Sequence, residues 1–421
     1  MFFLDAPKSS RPERPLRIEK AEAEAFVLTL AEALHAHGAA AHRIEGMLTL
    51  VARRLGMEAR FYSTPTAVMV SFGAVTEGRT CLVRVQPGAI NLEKMSLLYE
   101  ATVRVIRGEI GLAEGRASIA AALGAAPRYG SALLVPAFAV SSAAGAVIFG
   151  GGLREALVSA VVGLAVGLIE RPTRRWALGA SIVEPIAAAV AAVGASVAAR
   201  LIGPLSPLVV TLAGVIMLLP GLSITTALTE LATRNLASGT ARFAGGMLQL
   251  LGLGFGVAFG TALVARLPPH TPLPPPPPPI DHPVLVLVVA ALVAAAGASM
   301  LLQARPRDLG WILGVSVLGF TGARLGAHAF GPELGAMLGA LLLCLVSNAF
   351  ARTFDRPAAV PLLPGLILLV PGSLGFRGVF SMLQSDVVSG VDAGFKAVLV
   401  SAALVAGLLF ANIALPPRRV L

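Results

Sequence analysis

The chain has 421 residues, 56% of them hydrophobic and 13% charged, with a mean hydropathy of +0.81. These values exclude a soluble chain of two or three domains and call for a polytopic α-helical membrane protein. The net charge of +10 invites a nucleic-acid partner, but no basic stripe interleaves with aromatics, so cationic loops beside an anionic membrane face account for it.

Polarity is unevenly spread. Residues 1–129 hold 16 of the 33 Lys and Arg and 13 of the 23 Asp and Glu, so a polar domain precedes a membrane domain. Cys81 and Cys344 lie in separate regions and make neither a disulfide framework nor a metal site, and no cofactor is expected. The start, MFFLDAPKSSRPERP, has no apolar stretch long enough for a signal peptide, which places the polar domain in the cytoplasm.

In chain order, residues 1–18 read as a flexible leader and 19–129 as a small cytoplasmic α+β domain. Its expected elements are helices over Glu19–His37 and Ala41–Leu55, alternating strands over 58–62, 66–72 and 79–86, a helix capped by Asn91, and a last helix over Leu112–Leu123. A bilayer crossing needs ~20 residues. The first membrane half, 130–265, offers spans near 131–150, 153–170, 176–199, 206–219 with a continuation, and 241–264. A Pro-rich extracytoplasmic linker, 266–283, contains Pro274 through Pro279 and reads as a stiff, solvated polyproline spacer. The second half, 284–421, offers spans near 284–303, 308–326, 333–351, 358–376 and 394–415.

One phrase occurs in both halves. GVIMLLPG, Gly214–Gly221, and GLILLVPG, Gly365–Gly372, are each followed at the same distance by Ser-Gly, Ser238-Gly239 and Ser389-Gly390; seven of 26 positions are identical without a gap. Pro cannot continue a helix normally and Gly permits unusual backbone angles, so each copy predicts an interrupted membrane helix. Paired interruptions in matching positions point to a transporter's binding site. Eleven Arg on one set of loops against six cations on the other put both termini inside. Five spans per half then require inverted repeats, about ten transmembrane helices in all, with one break opening to each side. A weaker echo, Arg171-Pro172 with Trp176 against Arg305-Pro306 with Trp311, is not inverted and fits common interfacial flank chemistry.

A helix restarting after Pro220-Gly221 or Pro371-Gly372 presents unpaired N–H groups and a partial positive charge. Ser223, Thr225 and Thr226 in the first copy and Ser373 in the second add hydroxyls, making a carboxylate cradle. Glu230 or Asp386 would then accept an ammonium group; the plainer alternative is that Pro-Gly ends a helix and the hydroxyls cap the next. Glu184, before Pro185 and near the middle of the third span, is a candidate for proton coupling, or a hydrogen bond at a kink. Arg377 is a further binding candidate; like Arg324, His328, Asp392 and Lys396 it lies near a span end, where snorkelling also explains it. Asn348 reads as an interhelical hydrogen bond, and Gly252, Gly254, Gly256 and Gly260 as close-packing surface. In the polar domain His42, Arg43 and Glu45 cluster, with hydroxyls at Ser63-Thr64-Pro65-Thr66, but no nucleophile has a base at a recognisable spacing.

GAAAHRIE (Gly38–Glu45), Thr64-Pro65-Thr66, Asn91-Leu92 and the two Pro-Gly/Ser-Gly segments, in this order, resemble the threonine/serine exporter family over about residues 20–412. The resemblance implies a ten-span exporter that uses protons to expel threonine and serine. It also implies a hydrolase-like N-terminal domain with no assigned catalytic residue; the chain is read as a transporter rather than an enzyme, with a membrane-tethered hydrolase acting through that domain as the alternative. Split relatives associated with succinate keep a small dicarboxylate open as cargo. The implied setting is a bacterial-type cytoplasmic membrane, with lipid around the chain and a homo-oligomer compatible with it.

Overall fold

The structure is a computed structural model and describes residues 20–74, 76–86, 88–173, 180–268 and 275–417, without the side chains of 171–181. The expected leader, Trp176, Pro274, Arg418 and Arg419 lie outside these residues.

The polar domain begins with α1 (Lys20–Ala36) and α2 (Ala41–Arg54). Three strands follow, β1 (Ala59–Thr64), β2 (Ala67–Phe72) and β3 (Arg79–Arg84), and then α3 (Leu92–Ile106) and α4 (Leu112–Gly124). The strands form an antiparallel meander in the order β1-β2-β3. Period-two alternation turns Val68, Val70 and Phe72 into a core with Phe26, Leu30, Leu48 and Leu98. The α3 start follows from one residue: Asn91 Oδ1 accepts from Lys94 N at 2.9 Å, a cap worth ~1 kcal/mol.

Two five-part series follow. The first is α5 (Ser131–Ile148), α6 (Leu153–Thr173), α7 (Ala180–Ile202), the interrupted pair α8 (Pro207–Gly214) and α9 (Gly221–Ala232), and α10 (Leu236–Ala265). The second is α11 (Val284–Leu301), α12 (Leu309–Phe330), α13 (Pro332–Phe354), the interrupted pair α14 (Ala359–Leu369) and α15 (Gly372–Leu383), and α16 (Val387–Ala414). The chain is a polytopic helical membrane protein. Among the described residues eight helices are long and apolar enough to cross a membrane, or nine if α8 and α9, bent by 50°, count as one span. The expected ten is not reached by that measure. The missing candidate is α6, whose apolar stretch is bounded by Arg154 and Glu155 at one end and Glu170 at the other. Helices α10 and α16 also start earlier than expected, at Leu236 and Val387, so the Ser-Gly pairs lie inside them.

The second series repeats the packing of the first. Helix α7 packs on α10 as α13 packs on α16, and α9 on α10 as α15 on α16. The Ser-Gly pairs show why the sequence repeats there. A Cβ at Gly239 would sit 2.8 Å from Ala227 O, and one at Gly390 would sit 2.9 Å from Gly378 O, the same place in the next copy. Before each long helix a non-glycine residue takes the left-handed conformation, Arg234 at φ 66° and Ser385 at φ 67°. The first helices of the series, α5 and α11, run antiparallel: Gly297 meets Ala137 and Ser141, while Ala290 and Ala294 pack on Ala144.

The polar domain is seated on one end of the helices. Leu92 N donates to Leu302 O at 2.9 Å, Arg305 pairs with Glu100 at 2.6 Å, and Ala41 N donates to Glu230 at 3.0 Å. Leu92 and Met95 also pack on Ala359 and Val360. So the first interrupted pair reaches the domain with its second member, α9, and the second pair with its first member, α14. At the opposite end the exposed prolines 275–279 lead to a tether, where Ile280 N donates to Gly150 O at 2.8 Å and His282 Nε2 lies 2.9 Å from Gly151 O.

Candidate functional site

The two Pro-Gly interruptions, 151 positions apart in sequence, meet. A Cβ on Gly221 would lie 3.2 Å from Gly372 N and overlap Val370, and one on Gly372 would lie 3.4 Å from Gly221 Cα and 3.2 Å from Leu219 Cβ. Each glycine therefore allows the other backbone to approach. The contact is reciprocal, as expected of two copies facing one another.

Both α9 and α15 start at this contact, and neither N-terminus has a side-chain cap among the described residues. Helical bonding begins only with Ile224 N to Pro220 O at 2.9 Å and Gly375 N to Pro371 O at 3.0 Å. The preceding amides, Gly221 to Ser223 and Gly372 to Leu374, are those a helix leaves unclaimed. Gly221–Ser223, Gly372 and Ser373 border a cavity of about 300 Å³ that Gln249 also lines. Two partial positive charges of roughly half an elementary charge converge there, which favours an anion between them. The single 3-10 turn Ile216–Leu218 and Leu219, which link α8 to α9, line the same space, and backbone carbonyls left free there suit a cationic group.

Glu184 reaches this centre through one intermediary. Gln249 Nε2 donates to Glu184 Oε1 at 3.3 Å and to Leu218 O at 3.0 Å. Glu184 lies near the start of α7 rather than at its middle, yet level with the interruption because α10 crosses it there. Gln249 was not singled out in the sequence: one amide in a Gly- and Leu-rich helix carries no local signature.

Thr225 and Thr226 point elsewhere. They line a second cavity of about 90 Å³ between α9 and the start of α2, together with His42 and Arg43. Glu230 is fully buried beside it and accepts from Ala41 N at 3.0 Å, Ser238 Oγ at 2.8 Å and Arg242 Nε at 3.2 Å. It does not line the central cavity. Burial, with Arg43 adding to it and Glu230 opposing, pushes the His42 imidazole from 6.5 down to about 4. Burial also lowers the Arg43 guanidinium and raises the Glu45 carboxyl.

Residues 25–264 match the threonine/serine exporter family model ThrE, and residues 287–414 match a second one described as "Threonine/Serine exporter, ThrE". The chain belongs to the threonine/serine exporter family. Among curated relatives of this exporter-family chain are pheromone-regulated membrane protein 10 of Pichia sorbitophila, 26% identical over 87% of the chain and 37% of the relative. The Saccharomyces cerevisiae protein of that name is 27% identical over 86% of the chain and 48% of the relative, and the Eremothecium gossypii one 23% over 91% and 55%. The chain thus spans about a third to a half of the length of the curated relatives it matches. No solved structure matches it.

The remaining candidates of the exporter-family chain fall outside both cavities. Arg377 is half-buried with its guanidinium carbon 6.0 Å from the centroid of Phe149, which does line the central cavity, and its Nε has no partner. Asp386 is exposed and caps α16 through Ser389 N at 3.1 Å, an interaction that holds its carboxyl below the ordinary range. Asp392 and Lys396 pair with each other at 2.7 Å on the surface. Asn348 joins α13 to α16 through Asn412 Oδ1 at 2.9 Å and Leu415 O at 2.8 Å. In the polar domain Glu45 accepts from Ser63 N at 2.8 Å and His35 bonds Thr64 O at 2.6 Å, so these residues tie sheet to helices. The Ser63 hydroxyl has no partner to act as its base.

Proposed function

We propose that this chain exports small polar amino acids, threonine and serine, across a cytoplasmic membrane, driven by the proton gradient. The observation that carries the reading is the convergence of two uncapped helix N-termini on one cavity, in a chain of the exporter family. A zwitterion suits that cavity: its carboxylate meets the amides at Gly221–Ser223 or Gly372–Ser373, and its ammonium meets carbonyls at the 3-10 turn between α8 and α9. The antiparallel α5 and α11, and the opposite directions in which α9 and α15 leave the contact, support two inverted five-span halves that rock about it. The loop charges support termini in the cytoplasm.

A second reading keeps a place because there are two N-termini rather than one. Each could take one carboxylate of a small dicarboxylate such as succinate. Cells loaded with threonine- or serine-containing peptides, and separately with succinate, decide between them. Efflux of the amino acids against their gradient, lost on collapsing the proton gradient, is the expected result; efflux of succinate alone sinks the amino-acid reading.

Glu184 is the proposed proton carrier, since it reaches the interruption through Gln249. Glu184→Gln is expected to leave some downhill exchange but to abolish the response of efflux to an imposed pH gradient. An unchanged response removes Glu184 from the coupling mechanism.

A further inference from the structure

At the junction of polar domain and membrane helices, arginines meet carboxylates: Arg242 with Glu230, Arg305 with Glu100, Arg356 with Asp308 and Arg107 with Asp355. Arg43 is different. Among the described residues it makes no hydrogen bond or ion pair, and its electrostatic neighbours are the Cys344 thiol and the His42 imidazole. It is half-buried and lines the 90 Å³ cavity under α2.

A second group in that cavity is also unsatisfied. Thr225 is 1% exposed, and its Oγ1 has no partner among the described residues. The hydroxyls one and two turns on behave normally: Thr229 donates to Thr225 O at 2.8 Å and Thr233 to Thr229 O at 2.9 Å. A buried hydroxyl left unpaired costs about 1–3 kcal/mol. One anion with a flat, two-oxygen head satisfies both, because the guanidinium fork matches a carboxylate. Glu230, buried beside the cavity, is already engaged by Ala41, Ser238 and Arg242.

Size narrows the ligand. A water takes about 10–15 Å³ of such space, so the cavity holds about six to nine non-hydrogen atoms. That is a three- or four-carbon amino, hydroxy or dicarboxylic acid. Asn412 adds a polar group on the far wall, and Leu362 and Leu366 add an apolar one for the carbon chain.

We propose that this junction is a second binding site, for one small carboxylate, in which Arg43 grips the carboxylate and Thr225 donates its hydroxyl to it. It shares no lining residue with the central cavity. Its two halves belong to different parts of the chain, α2 of the polar domain and α9 after the first interruption. A ligand there binds only the docked arrangement, and so holds the domain on the helices. The inference does not rest on the export reading.

Calorimetry of the full-length protein in detergent, with L-serine, L-threonine, succinate and inorganic phosphate as probes, tests it. At least one carboxylate is expected to bind the unaltered chain. Arg43→Gln should weaken it about 10- to 100-fold, as expected for a lost charge-assisted pair. Arg43→Lys should fall between, and Thr225→Val should weaken it several-fold. Hydrogen exchange at the Ala41 amide, which bonds Glu230, checks that Arg43→Gln leaves the domain docked. Gly372→Ala, whose added carbon crowds Leu219 and Gly221 at the central contact, should leave this affinity in place, so loss of efflux in that variant does not bear on the site. No carboxylate binding at millimolar concentration, binding of phosphate alone, or equal affinity with and without Arg43 overturns the proposal. So does binding lost in Gly372→Ala but kept in Arg43→Gln, which assigns the ligand to the central cavity.

Discussion

Gly221→Leu is expected to abolish efflux while the protein still inserts and folds. The smallest added carbon at Gly221 overlaps the Val370 side chain and lies 3.2 Å from Gly372 N. A leucine there must push the two interruptions apart or fill the space between them. Overpacking of this kind costs about 1–3 kcal/mol, which a large helical membrane protein survives. Its effect on transport is far greater, because the amides proposed to bind cargo lie on the displaced backbone. Gly372→Leu should act alike, and Gly372→Ala more mildly, since its new carbon meets Leu219 Cβ at 3.2 Å and Gly221 Cα at 3.4 Å. Gly245→Ala is the control: nothing lies within 4 Å of its new carbon, and efflux should be unchanged. Efflux assays beside a membrane-insertion check decide it, and normal transport by Gly221→Leu removes the interruptions from the site.

The interruptions were legible because their signal is local. Pro220-Gly221 and Pro371-Gly372 each close an apolar run in a phrase repeated at fixed spacing, which marks them where a lone Pro-Gly does not, since Pro364-Gly365 lies inside α14; the domain strands and the Asn91 cap are equally local. Periodicity therefore placed these elements within a few residues. What the sequence could not convey was pairing across distance. Nothing in GVIMLLPG says that its glycine touches the glycine of GLILLVPG, because the contact depends on how the two halves face each other. The same limit hid Gln249, whose role exists only because α10 crosses both Glu184 and the unwound Leu218. Glu230 shows the converse. Its place in the repeated segment suggested an ammonium acceptor, whereas its oxygens are taken by Ala41, Ser238 and Arg242. The Ser of Ser238-Gly239 is thus explained by Glu230, and the Gly by its closeness to Ala227 O. Arg43 was visible as a residue, but its lack of a partner could not be read from any spacing.

Glu230→Ala is expected to release the polar domain from α9. The carboxylate is fully buried and serves three donors, one of them the backbone amide that starts α2. Removing one partner of a buried ion pair costs about 3–5 kcal/mol, because the Arg242 charge and the other donors stay behind unpaired. Hydrogen exchange should accelerate across Ala41–Arg54 and the thermal midpoint should fall by a few degrees. Protection unchanged at Ala41 shows that the contact does not hold the domain. Glu230→Gln, which keeps acceptor and shape but loses the charge, should lie between. His42 gives the same junction a pH dependence of definite sign. Docked, its imidazole titrates at about 4; released, near 6.5, so the released form binds more protons between these values. Docking contributed by His42 is complete above 6.5 and is lost as the pH falls toward 4, with Arg43 adding to the penalty and Glu230 reducing it. Glu45 works in the opposite sense, because burial raises its carboxyl and favours the docked form at low pH. Glu230→Ala also removes the docking that Glu230 itself contributes, so the loss of the His42 contribution below 6.5 should release the domain at a higher pH in Glu230→Ala than in the unaltered chain.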